Sequence, residues 1–156
     1  MQFLSQSAQY AISALIVLSR EEQGKAVSAA ELARPLHCPA AYLSQTLARL
    51  IPAGIVDSRR GLNGGVYLLR KPAEITLLEV VETIDGPDFW DRCFLGIAGC
   101  GDIEPCPFHM VWKQQRLQIR EWLNATTFAE INQSMSEAWF NLRLRFTKQG
   151  NSETGN

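Results

Sequence analysis

The chain lacks any apolar stretch approaching the roughly 20 residues that a membrane-spanning helix needs. It lacks low-complexity runs and internal repeats, which excludes solenoids and tail-like polymers. The opening residues, MQFLSQSAQYAISALIVLSREE, carry no basic segment and no small-residue cleavage site, so they read as a helix rather than a signal peptide. The expectation is a cytosolic, non-membrane protein, where paired structural disulfides are rare. No glycine-rich nucleotide motif, catalytic triad or convincing acid pair is present, so an enzyme is not expected. Net charge is also scarce, at −1 over 156 residues, which rules out strong unspecific affinity for nucleic acid. Histidine occurs twice, and no two of the four cysteines stand in the short C-x2–4-C steps typical of zinc fingers.

The small net charge hides an asymmetry. Residues 1–72 carry eight Lys/Arg against four Asp/Glu; residues 73–156 carry seven against twelve. A basic N-terminal half suits a polyanion, although solvated surface charge explains the same numbers without one.

Hydrophobic periodicity predicts a helix over 7–19, with Ala8, Ala11, Ile12, Leu15 and Leu18 on one face and Gly24 as its stop. Ser28 with Glu31 forms a capping-box pattern that opens a second helix, bounded by Pro35. Pro39 opens a third, PAAYLSQTLARLIPAG, with Leu43, Leu47 and Leu50 inward and Gly54 as stop. Two short helices across a tight turn have helix-turn-helix spacing. The next segment, IVDSRRGLNGGVYLLRK, alternates strand formers around a glycine-rich basic turn, which predicts a two-stranded hairpin. Together these parts predict a winged helix. Thr76 and Glu79 cap another helix that ends at Gly86, and Pro107 opens a long one through Ala125, with Phe108, Trp112, Ile119, Trp122 and Leu123 as its apolar positions. TTFAEI opens a further helical stretch. A last amphipathic segment places Met135, Ala138, Trp139, Leu142 and Phe146 on one face, ahead of a polar tail. The predicted class is mainly α with a small β-hairpin wing. Residues 1–72 are the DNA-binding domain, 73–131 hold a linker helix, a Cys-rich loop and a dimerisation helix, and 132–156 form a C-terminal extension.

A recognition helix offers its outer face to the major groove, here Ala41, Tyr42, Ser44, Gln45, Thr46 and Arg49. Gln45 suits bidentate pairing with adenine, and Arg49 suits guanine or phosphate. Arg59 and Arg60 suit the narrow minor groove, and Asn63 and Gly64 allow close backbone approach. With Ser28 these make the predicted contact set for double-stranded DNA: Ser28, Tyr42, Ser44, Gln45, Arg49, Arg59, Arg60, Asn63 and Gly64.

Residues 93–109 concentrate Cys93, Cys100, Cys106 and His109. Iron–sulfur chemistry, a zinc site and a thiol switch all fit these ligand types. Cys106 stands beside the predicted start of a helix, whose positive end favours a thiolate, and His109 follows three residues on. Gly96, Gly99 and Gly101 permit backbone amides to approach sulfur. Simple burial of small side chains is the plain alternative. Cys38, alone in the turn between two helices, reads as a core residue, and His37 as a turn residue.

VSAAELA, PAAYLSQTLARLIPAGIVDSRRGLNGGVYL, ITLLEVVETIDG and the cysteine loop running into PCPFHMVW occur in order, and over residues 1 to about 131 the chain resembles the Rrf2 family of bacterial winged-helix regulators. The resemblance implies a homodimer crossing at the long helix, about 107–125, and reading a pseudo-palindromic operator. It also implies an iron–sulfur cluster on Cys93, Cys100 and Cys106. In IscR-like members the fourth ligand is a histidine placed as His109 is; in NsrR-like members it is an acid near the N-terminus, and this chain has none before Glu21. That departure favours His109 and leaves the cluster type open; a [2Fe–2S] unit is expected ahead of [4Fe–4S], with zinc or a disulfide switch as the alternative cofactor chemistry. The functional expectation is a DNA-binding regulator sensing redox state, iron–sulfur status or nitric oxide; a redox or electron-transfer protein not acting on DNA is the rival from another class.

Overall fold

The computed structural model describes residues 3–99, 101 and 103–144. Helix α1, Gln6–Ser19, starts where Ser5 Oγ accepts the Ala8 amide at 3.0 Å. Seven of its residues are buried, so it forms the central strut of the molecule rather than a surface helix. It ends at Ser19, the end of the predicted span, without reaching Gly24. The Arg20 and Glu21 amides fold back onto Val17 and Leu18 in a tightened last turn, and Gly24 instead serves the loop beyond.

Helix α2, Ala29–Ala33, is capped as expected by Ser28, whose Oγ accepts the Glu31 amide at 3.2 Å. Helix α3, Ala40–Ala48, follows Pro39 and is shorter than the sequence suggests. Single turns carry the chain through Leu50 and Ile51 to Gly54, because Pro52 cannot extend the helix. Strands β1, Val56–Arg59, and β2, Gly65–Leu68, pair antiparallel, with Val56 opposite Leu68 and Arg59 opposite Gly65. The architecture is thus mainly helical with a two-stranded wing, as the sequence predicts.

Helix α4, Leu77–Asp85, is capped by Thr76 and terminated by Gly86, whose φ of +84° needs no Cβ. A 3-10 turn, Pro87–Asp91, leads into the cysteine loop. The long helix α5, His109–Ala125, begins two residues after Pro107. Helix α6, Phe128–Ser134, has the capping box Thr127–Glu130, and α7, Glu137–Arg143, is capped by Ser136. The strand-like residues between α5 and α6 stitch onto those before α4: the Leu77 amide donates to Thr126 O at 3.0 Å and the Phe128 amide to Ile75 O at 3.1 Å.

One contiguous apolar cluster results. It runs from α1 through Leu32, Leu43, Leu47, Ile55 and Val80 and takes in Leu123, Phe128, Phe140 and Leu144 from the C-terminal half. The last helix faces inward differently from expectation. Phe140 and Leu144 are buried, whereas Ala138 is exposed and Trp139 is 47% exposed. The guanidinium of Arg20 explains the rotation: it ion-pairs with Glu137 and lies 4.1 Å from the Phe140 ring centroid, so that edge of α7 is drawn onto α1. Phe146 and the side chain of Leu142 lie outside the described residues. Among the described residues no helix is long and apolar enough to cross a membrane.

Candidate functional site

On α3, Leu43 and Leu47 are fully buried, which turns Ala41, Tyr42, Ser44 and Gln45 outward. Thr46 departs from the predicted outer face. It is 4% exposed, and its Oγ1 donates to the Tyr42 carbonyl at 3.0 Å. Its methyl group suits the core, and bonding back one turn removes the cost of burying the hydroxyl. Tyr42 is held from α1, its Oη 2.6 Å from Ser7 Oγ and its ring edge-on to Tyr10. Arg49 donates from Nη2 to the carbonyl of Ile84, at the negative end of α4, while the residue as a whole remains exposed.

The wing is a rigid turn. The Gly64 amide donates to Gly61 O at 3.0 Å, and Asn63 takes the left-handed conformation at φ +62°. A Cβ on Gly64 would fall 2.3 Å from Arg59 O, and one on Gly65 would fall 2.2 Å from Val27 O. The hairpin is therefore pressed onto the residue just before the α2 cap, where Val27 and Val66 exchange amide bonds of 2.9 Å in each direction. Arg59 lies 4.5 Å over the Tyr67 ring and donates to Gly24 O at 3.3 Å; Arg60 is exposed. A cleft of about 1200 Å³ runs between α2 and the wing. Ser28, Arg59, Asn63 and Gly64 line it with Lys25 and Arg34, two cations the sequence reasoning did not select. It also missed Leu62, which is 96% exposed at the turn. An apolar residue flanked by Gly and Asn in a basic turn is the signal that was there to read.

The second cluster lies where the loop meets α5. Cys93, Cys106 and His109 line one small cavity of about 20 Å³ together with Trp112 and Arg116. The His109 amide donates to Cys106 O at 3.0 Å, a turn that carries the imidazole to the Cys106 side of the helix start. Cys106 itself stands outside α5, since Phe108 takes the cap position. The Leu95 amide donates to Cys93 Sγ at 3.3 Å, a contact that favours a thiolate. Gly101 lies flat on the histidine: a Cβ there would come within 2.0 Å of the imidazole Cε1. Phe94 closes the rim against Phe108 and Trp112, both at 5.6 Å between centroids. Cys100 lies outside the described residues. Among the described residues no three His, Cys, Asp or Glu side chains converge closely enough to hold an ion. The donor set and surroundings nevertheless fit an iron–sulfur unit: soft sulfur and imidazole donors on one cavity, an amide aimed at sulfur, and a glycine giving close approach.

The remaining thiol behaves differently. Cys38 is half-buried between α2 and α3, packs on the core as predicted, and burial pushes its thiol up from the ordinary range. His37 beside it is exposed in a left-handed turn at φ +52°.

The sequence profile of a family described as Rrf2, iron-dependent transcriptional regulator, matches residues 4–134. A protein of Azotobacter vinelandii named as an HTH-type transcriptional regulator is 31% identical over 147 residues, covering 94% of this chain and 88% of that one. The HTH-type transcriptional regulator IscR of Serratia proteamaculans is 30% identical over 128 residues, covering 82% of this chain and 77% of its own. Among solved structures, CymR, the global cysteine regulator of B. subtilis, superposes with TM-score 0.70 at 24% identity over 87% of this chain and all of the other, which shows the fold. The IscR of T. potens superposes with TM-score 0.66 at 25% identity, covering 86% of this chain and 89% of that one.

Proposed function

The chain belongs to the Rrf2 family of winged-helix transcriptional regulators, and from that membership we propose that it is an IscR-like homodimer whose operator binding is set by an iron–sulfur cluster on Cys93, Cys100, Cys106 and His109. The observation that supports this reading is the shared cavity: Cys93, Cys106 and His109 line it together at the start of α5, short of coordinating distance. Bound there, a cluster supplies a one-electron redox centre and a target for oxidants or nitric oxide. What the chain itself supplies is position. The loop is anchored at Arg92, whose carbonyl accepts Trp112 Nε1 at 2.9 Å and Arg116 Nη1 at 3.0 Å, so the orientation of α5 depends on the loop beside Cys93.

The dimer is supported by the outer side of α5. His109, Trp112, Arg116, Ile119 and Leu123 form its inward face, while Met110, Val111, Leu117 and Trp122 on the other sides are each at least half exposed. An apolar surface of that extent is normally covered by protein. Two copies related by a twofold axis would present two winged helices to half-sites about 34 Å apart. Residues 1–72 form the reading unit, and Ser28, Tyr42, Ser44, Gln45, Arg49, Arg59, Arg60, Asn63 and Gly64 are its contact set. Arg49 holds the Ile84 carbonyl through Nη2 and keeps its other guanidinium donors for DNA.

Anaerobic purification with iron, sulfide and zinc quantification tests the cofactor. The expected protein is brown, contains iron and sulfide, and bleaches in air or nitric oxide. Replacing Cys100 and Cys106 by serine should abolish the colour and change promoter occupancy. A colourless wild type with stoichiometric zinc would falsify the cluster and leave a zinc-holding regulator.

A further inference from the structure

Among the described residues Arg116 stands apart from the other charges. It is 9% exposed, whereas the arginines paired with carboxylates lie at or near the surface. Nη1 donates to the carbonyls of Trp90 and Arg92, and the guanidinium carbon lies 5.9 Å from the Trp112 ring centroid. Nε is buried without a hydrogen-bond partner. Among the described residues no carboxylate lies within ion-pair distance of it. Two carbonyl dipoles do not neutralise a buried cation, and such a charge persists only where something compensates it. The same side chain lines the cavity of Cys93, Cys106 and His109 and also an adjoining one of about 790 Å³ that again includes Cys93 and His109; Asp91 lines both, without an ion pair to Arg116.

We propose that Arg116 is the counter-cation of the cofactor site, its buried guanidinium balancing the negative charge of a thiolate-ligated iron–sulfur unit and raising its reduction potential. The inference rests on the cluster reading above. A unit held by three thiolates and a neutral imidazole is net negative, and one-electron reduction adds a further negative charge. A fixed positive charge nearby therefore stabilises the reduced form more than the oxidised form. Arg116 acts through field and position and is no ligand. Its place on α5 gives this a structural consequence, because the side chain that faces the cofactor also ties the long helix to the carbonyls of Trp90 and Arg92 at the loop's entry.

The test uses the full chain, anaerobically reconstituted with ferrous iron and sulfide. The midpoint potential is read by titration with dithionite, which supplies the electron; no bond is made or broken in the couple. Arg116→Gln keeps donors for the carbonyls but removes the charge, and should lower the midpoint by at least a tenfold shift in the reduction equilibrium, about 59 mV for one electron. Arg116→Lys keeps the charge and should lie within half that shift of the wild type. Arg116→Met removes charge with an apolar chain of similar length and serves if the Gln variant does not fold. Urea midpoints of the apoproteins separate strut from charge: loss of stability in both Lys and Gln variants with unchanged potentials makes Arg116 a strut and overturns the inference. A reconstituted wild type whose potential matches that of Arg116→Gln overturns it while leaving the cluster in place. A wild type that takes up no iron and sulfide overturns the cluster reading and this inference together.

Discussion

At the scale of single residues, the glycines of the wing show how little room the fold leaves. Gly65 has a φ of +147° and its missing Cβ would overlap Val27 O, while Gly61, at φ +95°, has open space around it. Gly65→Ala should therefore destabilise the protein by about 3 kcal/mol, as backbone strain and overlap add, whereas Gly61→Ala should cost about 1 kcal/mol from its left-handed backbone alone. Urea unfolding midpoints of the two variants measure the difference; equal losses would show that the wing is not pressed onto Val27. The Asn-Gly-Gly turn was legible in the sequence because these residue types have few other uses at a basic hairpin tip. The contact between Gly65 and Val27 was not, since it joins segments distant in the chain, and nothing local reports on it. Arg116 was hidden for a related reason. A charged residue in a helix reads as solvated until tertiary structure shows what surrounds it.

At the scale of elements, caps were the most legible feature and faces the least. Ser28 and Thr76 cap α2 and α4 as their spacing to Glu31 and Glu79 requires. Long-range partners decide faces, and α7 is the clear case. Periodicity selected Trp139, but the pairing of Arg20 with Glu137 and its stacking on Phe140 turn Phe140 and Leu144 inward. Phe140→Ala should then cost about 3–5 kcal/mol as a core truncation. Trp139→Ala should change monomer stability by less than about 0.5 kcal/mol, as a surface change. Thermal unfolding of both variants distinguishes the faces, and a larger loss for Trp139 would reverse the assignment. Along α5 the apolar pattern found Trp112, Ile119 and Leu123 of the inner face but also took in Phe108 and Trp122, which are exposed, and it passed over His109 and Arg116, because a polar or charged side chain gives no apolar signal.

At the scale of the whole molecule, the end of α4 takes hydrogen bonds both from the end of α3, the proposed reading helix, and from the start of the cysteine loop. Arg49 of the recognition region donates to Ile84 O, Ser5 at the start of α1 bonds the Asp85 carboxylate, and Arg92, next to Cys93, donates to Asp85 O at 3.5 Å. These bonds connect the proposed operator and cofactor sites through two carbonyls and one carboxylate. If the proposed cluster biases that junction, linkage makes the effect mutual: whatever factor the cluster contributes to operator affinity, the operator returns to cluster affinity. Replacing Arg49 by Met removes the bond to Ile84 O and should reduce that factor as well as operator affinity. The measurement is operator binding by holo and apo forms of wild type and variant, with the chelator concentration needed to strip iron in the presence and absence of operator as the reciprocal reading. An Arg49→Met protein that loses affinity while keeping the full holo-to-apo ratio would place the coupling elsewhere, and leave Arg49 as a DNA contact alone. The wing provides the control, since Arg59 and Arg60 lie away from this junction. Changing both to Ala should weaken binding by holo and apo forms alike and flatten the dependence of log affinity on log salt by about 0.9 per lost phosphate contact. The ratio between the two forms should stay as it was.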